Sequence, residues 1–303
     1  MSPSATHAPQ PSQAPQAIEL QGGTHAVLLF HGLSSSPLEL LFLARGLQRA
    51  GHTVRLPVIS GYTHGFPSSR PRSVHDWVDD ALAELDALLG RFEHVSIGGL
   101  CVGAVMALRL AALRPVQVRH LVCLSVALHF DGWGNPWFTP LLPLARVLPF
   151  ARRIRLRERE PFGLKDKRMR AWVARQMQQA GGSDAGAATL QVGELLKARE
   201  LVDQARRSLS NVRSATLLVH AREDENATPR SAFDVATGVR ARRIRMALLN
   251  DSYHMVSIDQ EKHLVLQEMQ QFLAPTVAGA HGDSAPSSAQ VLLLPEPMTA
   301  SRP

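Results

Sequence analysis

The segment His94–Leu108 reads HVSIGGLCVGAVMAL: an apolar run, a cysteine flanked by glycines, and an apolar continuation of small residues. His94 to Gly98 has the composition of a short strand buried on both faces. Ala104 to Leu113 has that of a helix, ended by Pro115. Between them, Gly99-Leu100-Cys101-Val102-Gly103 must change direction within a few residues. So sharp a strand–turn–helix junction leaves no room for side chains at its flanks, hence glycine, and it lifts the central side chain clear of the sheet. The following helix points its N-terminus at that side chain, and its dipole and free N–H groups favour a thiolate over a thiol. Cys101 is therefore a candidate nucleophile. The competing reading, a small buried hydrophobe, suits Cys123, which lies mid-strand between Val122 and Leu124.

Outward from this junction, apolar strands alternate with amphipathic helices. HAVLLF, ending at Phe30, reads as a strand and runs into His31-Gly32-Leu33 and a serine-rich loop. Pro37 opens a helical pattern that stops at Gly51, and a second strand spans His52 to Ile59. Ser73 to Leu89 is an amphipathic helix with Asp79, Asp80, Glu84 and Asp86 on its wet side. After the junction come a strand over Arg119–Val126 and, much later, strands over Ala215–His220 and Arg243–Leu249, with a closing helix over Gln260–Leu273. This alternation predicts an α/β fold with a mostly parallel, doubly wound sheet and helices on both faces. In such sheets sites form at the carboxyl ends of the strands.

The expected boundaries follow from composition. Residues 1–17 and 276–303 are rich in Pro, Ala and Ser, without apolar periodicity, and read as disordered tails. Residues 18–126 and 212–275 form the core. Between them, 127–211 reads as an inserted helical cap or lid, with helices expected around Lys167–Gln179 and Val192–Ser208.

With 303 residues, 45% of them hydrophobic, the chain can bury one substantial core. No secretory signal and no apolar run of roughly 18 residues appears, so a transmembrane segment is not expected and the cytoplasm is the default compartment. Two cysteines suggest no disulfide framework. The net charge of +7 is concentrated between Arg146 and Arg170. Such a patch attracts anions in general or is a solvated face, and no nucleic-acid-binding motif accompanies it. No metal-ligand spacing and no dinucleotide fingerprint is present, so neither metal nor cofactor is expected.

A nucleophile at such a junction implies an acid and a histidine later in the chain, in that order. Asp224 follows a strand in the loop REDENATP, where Glu223 and Glu225 are its rivals. His254 follows the last strand in NDSYHM and is the natural general base. Two fixed donors are needed for a developing oxyanion. The N–H of Val102 is one candidate, and the N–H of Leu33, in the glycine-bent loop after the first strand, is the other. His31 is expected to shape that hole. Together with Trp133, Trp137 and Phe138 at the start of the insertion, it is a candidate for the substrate pocket.

With these residues placed, the chain resembles the α/β-hydrolase superfamily, and within it the bacterial carboxylesterase and monoacylglycerol-lipase-like group. The resemblance covers about residues 24–126 and 213–273 and rests on LLFHGLSSSP, GGLCVGAVMAL, VHAREDENATP and NDSYHMVSIDQEKHLVLQEMQQFL. It implies Asp224 as triad acid, His254 as base, and Leu33 and Val102 as oxyanion-hole residues. It also fits a lid over an acyl pocket. The family's box carries serine where this chain has Cys101. Cysteine there is similar to dienelactone hydrolases and to polyhydroxyalkanoate synthases or depolymerases, at the box only.

The expected activity is hydrolysis of a small-molecule acyl ester or thioester, free or CoA- or carrier-bound, through a Cys-His-Asp triad and an acyl-thioester enzyme. Because thioesters react with thiols and amines as well as water, an acyltransferase is the alternative. A non-catalytic binding protein on the same fold is the third reading.

Overall fold

Apolar runs such as Ala26–Phe30 and Val95–Leu100 are buried on both sides, so they lie inside a sheet covered on each face. The computed structural model describes residues 14–147, 149–180, 182–183, 186–274 and 290–293. Strands β1 (Ile18–Leu20), β2 (His25–Phe30), β3 (Thr53–Leu56), β4 (His94–Leu100) and β5 (Val118–Leu124) alternate with helices α1 (Leu41–Arg49), α2 (Val74–Leu89) and α3 (Val102–Leu113). Short strands β6 (Arg155–Arg157), β7 (Gly182–Ser183), β8 (Gly186–Ala187) and β9 (Thr189–Gln191) follow, with helices α4 (Lys167–Ala180) and α5 (Val192–Ser208). The chain then returns to β10 (Ala215–Ala221), α6 (Arg230–Gly238), β11 (Ile244–Leu249), α7 (Lys262–Leu273) and β12 (Gln290–Leu293).

The main sheet has eight strands in the order β1-β3-β2-β4-β5-β10-β11-β12. All neighbours are parallel except β1, which runs antiparallel to β3 with Ile18 opposite Leu56. One core lies on the face covered by α2, α3, α5 and α6, built around Trp77, Leu85, Val105 and Leu201. The other, around Leu43, Leu47, Val265 and Phe272, joins α1 and α7 to the opposite face. Helix α3 is buried almost all round because its small residues let it sit between the sheet and its helical neighbours. Helix α2 starts at a capping box in which Ser73 and Asp76 satisfy each other's backbone N–H groups.

Two features depart from the expectation. The chain before the first expected strand supplies β1, three residues too short to show a period-two pattern. Residues 290–293, inside the stretch expected to be a disordered tail, form β12 parallel to β11, with Gln290 opposite Arg245. The apolar run Val291-Leu292-Leu293-Leu294 was the available signal for it. The rest of that stretch, together with residues 1–13, lies outside the described residues. No described helix is long and apolar enough to cross a membrane.

Candidate active site

Cys101 is the single residue between β4 and α3. Its backbone lies at φ 57° and ψ −120°, a region that L-residues avoid, at a cost of order 1–3 kcal/mol. The junction over-determines this strain. The Cys101 N–H donates to the Leu124 carbonyl at 3.0 Å. A Cβ on Gly103 would stand 2.2 Å from the Phe30 carbonyl oxygen, and one on Gly99 2.4 Å from the backbone of Gly103. Both glycines are therefore required by the closeness of β2, and the strained geometry presents Cys101 at the carboxyl end of the sheet.

His254 and Asp224 come from the loops after β11 and β10. His254 Nδ1 donates to both Asp224 oxygens, at 2.8 and 2.9 Å, and both residues are buried. Asp224 Oδ1 also accepts the N–H groups of Asn226 and Ala227, each at 2.9 Å, which fixes the carboxylate. Burial pulls the His254 imidazole down, but the Asp224 carboxylate and, when it is ionised, the Cys101 sulfur outweigh that pull and hold it well above the ordinary histidine range. Burial likewise pushes Asp224 up, and the His254 charge and hydrogen bond overcome this to keep it below the usual carboxylate range. Nε2, the nitrogen not engaged by Asp224, has no hydrogen-bond partner among the described residues.

The loop after β2 wraps the other side of Cys101. Neither the Leu33 N–H nor the Val102 N–H has an acceptor among the described residues, and both residues line the cavity beside Cys101. His31 lies beneath this loop. Its Nδ1–H donates to the Gly32 carbonyl at 2.7 Å, which assigns Nε2 as acceptor from Thr63 Oγ1 at 2.9 Å. Burial lowers His31 to about 4, so it is neutral, and the Tyr62 hydroxyl donates to its carbonyl at 2.8 Å.

A cavity of about 470 Å³ opens on Cys101 and His254. Its walls come from the loop after β2, the nucleophile junction, and residues between β5 and β10, among them Phe130, Phe138, Leu156, Phe162 and Met177. Of the expected pocket residues, Phe138 lines this space. Trp133 and Trp137 do not: Trp133 is exposed and donates its indole N–H to the Glu223 carbonyl at 3.2 Å, and Trp137 is exposed against the edge of Phe138. His31 does not line it either, because it is packed under Gly32.

In the basic stretch Arg153, Arg155, Arg157, Arg159 and Arg168 are exposed. Lys165 bridges Glu223 at 2.7 Å and Asp251 at 3.4 Å, tying the acid loop to the histidine loop, while Arg155, Arg157 and Arg159 reach the cavity wall. The rivals of Asp224 therefore have other work. Glu223 pairs with Lys165, and Glu225, pushed up by burial, accepts the His254 backbone N–H at 3.1 Å.

Several residues were missed from sequence. Asp259 accepts the N–H groups of Tyr253, Lys165 and Asp166, and Glu261 those of Asn250 and Asp251 plus the Ser252 hydroxyl, so two acids brace the histidine loop. Glu39 is fully buried beside Cys101, and its Oε1 accepts the Gly32 N–H at 3.2 Å. The signal for it was a lone acid inside the apolar run PLELLFLA.

Residues 23–261 match the family described as "Serine aminopeptidase, S33". Among curated proteins, the chain is 24% identical over 265 residues to a "Carboxylesterase" of Bacillus subtilis (strain 168), covering 86% of this chain and 96% of that one. It is 21% identical over 260 residues to a "Thermostable monoacylglycerol lipase" of Bacillus sp. (strain H-257), covering 84% and 92%. Among solved structures, one from the work on LipS and LipT, two metagenome-derived lipolytic enzymes, superposes with a TM-score of 0.71 at 23% identity, covering 86% of this chain and 97% of that chain. The Paleococcus ferrophilus monoacylglycerol lipase gives 0.70 at 18%, covering 85% and 97%. The fold is thus the α/β-hydrolase fold, with a mostly parallel central sheet flanked by helices.

Proposed function

The chain belongs to the Serine aminopeptidase, S33 family, and from that premise we propose that it hydrolyses carboxylic esters or thioesters through Cys101, His254 and Asp224. The observation that carries this reading is His254, hydrogen-bonded to Asp224, and Cys101 opening on one cavity beside two N–H groups that lack acceptors among the described residues. The relatives named carboxylesterase and monoacylglycerol lipase support esters as the substrate class.

In this mechanism His254 Nε2 takes the Cys101 proton as the sulfur attacks the acyl carbonyl carbon. The carbonyl oxygen becomes an oxyanion, which accepts the N–H groups of Leu33 and Val102. Collapse breaks the bond to the leaving alkoxide or thiolate, which takes the proton from His254, and an acyl-thioester remains on Cys101. Water then attacks that carbonyl while His254 accepts its proton, and the second collapse releases the carboxylic acid and the reprotonated thiol. Asp224 keeps the imidazole in the tautomer these steps require and stabilises its charged form. Residues 127–211 act as a cap, since Phe130, Phe138 and Leu156 give the cavity an apolar wall for an acyl chain.

A second reading, acyl transfer, is favoured by the sulfur nucleophile, because a thioester yields to amines and thiols as well as to water. The deciding experiment incubates the protein with p-nitrophenyl esters and acyl-CoAs, reading released product and, by mass spectrometry, the adduct on Cys101. An acyl adduct and a loss of roughly 10³-fold or more in Cys101→Ala are expected. Full activity in that variant, with no adduct in the native chain, would sink the nucleophile assignment. An adduct stable in water but discharged by an added amine or alcohol would identify a transferase.

A further inference from the structure

Glu39 is a carboxyl that the catalytic steps above leave unused. It stands in the single turn Pro37–Leu40 after the oxyanion loop and is 1% exposed. Its Oε1 accepts the Gly32 N–H at 3.2 Å, one residue before Leu33. A Cβ built on Gly32 would lie 3.5 Å from both Glu39 oxygens and 3.7 Å from the Cys101 Cβ, so carboxyl and nucleophile flank the same backbone atom. Glu39, Leu33, Cys101, Val102 and His254 all line one cavity. No ion pair engages Glu39 among the described residues.

We propose that Glu39 is a positioning residue whose carboxyl braces the Gly32–Leu33 segment and must carry its proton for the site to accept negative charge. The inference rests on the reading of Cys101 as the nucleophile. Charge is the physical reason. A carboxylate beside the thiolate and the oxyanion repels both in a site shielded from water, whereas the acid form keeps a carbonyl oxygen for the Gly32 N–H and adds no charge. The groups facing Glu39 are the Ser35 hydroxyl and Gly32 N–H from its own loop, Tyr62 from the loop after β3, Cys101 from the junction and His254 from the loop after β11. Burial dominates among them, and although Ser35, Gly32 and His254 oppose it, the carboxyl is pushed up to about 7. When Glu39 ionises its proton goes to solvent, and no other bond is made or broken.

The test is the pH profile of kcat/KM for a p-nitrophenyl ester. The native chain is expected to lose activity above about pH 7, approaching roughly tenfold per pH unit if the ionised form is inactive. Any limb that belongs to His254 is common to the native chain and Glu39→Gln, so the difference between the two profiles reports Glu39. Glu39→Gln, nearly the same shape and uncharged, is expected to keep its activity through about pH 8.5 and there exceed the native chain several-fold. Glu39→Ala, which cannot brace Gly32, is expected to lose kcat at every pH. Parallel profiles for the native chain and Glu39→Gln, or an equal loss at every pH in Glu39→Gln, would overturn the proposal. Infrared difference spectra in the Cys101→Ala background add a readout independent of turnover. A protonated-carboxyl band that vanishes near neutral pH, and is missing when Glu39→Gln is added, supports it; no such band overturns it, even if Glu39→Gln fails to fold. Retained esterase activity in Cys101→Ala would instead strike the nucleophile reading.

Discussion

His254, at the carboxyl end of this sheet, and the histidines clustered at its amino end are treated in opposite ways. At the carboxyl end, His254 lies against Asp224 and is held well above the ordinary range. At the amino end, His25 Nε2 and Ser96 Oγ are 2.7 Å apart, and Ser96 Oγ and His120 Nδ1 3.0 Å, with the His52 ring 4.7 Å from that of His25. Among the described residues, no carboxylate is hydrogen-bonded to these three histidines. Burial, and then neighbouring His52 and Arg119, lower His25 to about 4; burial, and then His25 and Arg243, lower His120 to about 3. Burial alone makes an imidazole neutral and inert. His254 differs because its Nδ1–H is hydrogen-bonded to both oxygens of a fixed carboxylate, whereas His220, equally buried and 3.4 Å from Asp224, bonds the Ala227 carbonyl and is lowered.

The strongest way to break this contrast is Asp224→Asn, which would turn His254 into a histidine of the amino-end kind. The amide can neither hold the reactive tautomer nor stabilise the imidazolium, so kcat/KM for an ester should fall by roughly 10³–10⁴-fold. A loss under tenfold would mean that Asp224 does not orient His254.

Acid should act on the amino end. His25 and His120 are held below the 6.5 of a free imidazole. Between that value and about 4 the unfolded chain therefore binds more protons than the folded one. Stability is full above about 6.5 and is lost as pH falls toward and through the folded values. The double change His25→Gln and His120→Gln should flatten the fall of Tm between about pH 7 and 4 by roughly 2–4 °C, with esterase activity at neutral pH unchanged. An unaltered slope would show that the acid sensitivity lies elsewhere.

The smallest effect belongs to the rim of the carboxyl end. Lys165 joins Glu223 to Asp251 near solvent, so Lys165→Met should cost less than about 1 kcal/mol and lower activity only a few-fold. A larger loss, measured by thermal unfolding and kcat/KM together, would make this bridge part of the site's preorganisation.

Alternation of strand and helix, the junction at Cys101 and the order of Cys101, Asp224 and His254 were all legible in the residues alone, because each rests on local rules. Apolar periodicity sets element type, and glycine sterics set the turn, as the backbone crowding at Gly99 and Gly103 bears out. Tertiary structure decided whatever depends on which side a side chain faces. Trp133 and Trp137 carry the composition of a pocket yet point to solvent, and His31 is a neutral prop under Gly32 rather than a wall of the cavity. Strands β1 and β12 pair at the edges of the sheet with partners distant in sequence, which no local pattern specifies. In sequence Glu39 is a lone acid inside the apolar run PLELLFLA, with no local mark of its surroundings. Only the close approach of its turn to the Cys101 junction buries it, and burial, a property of the assembled neighbours, governs its charge.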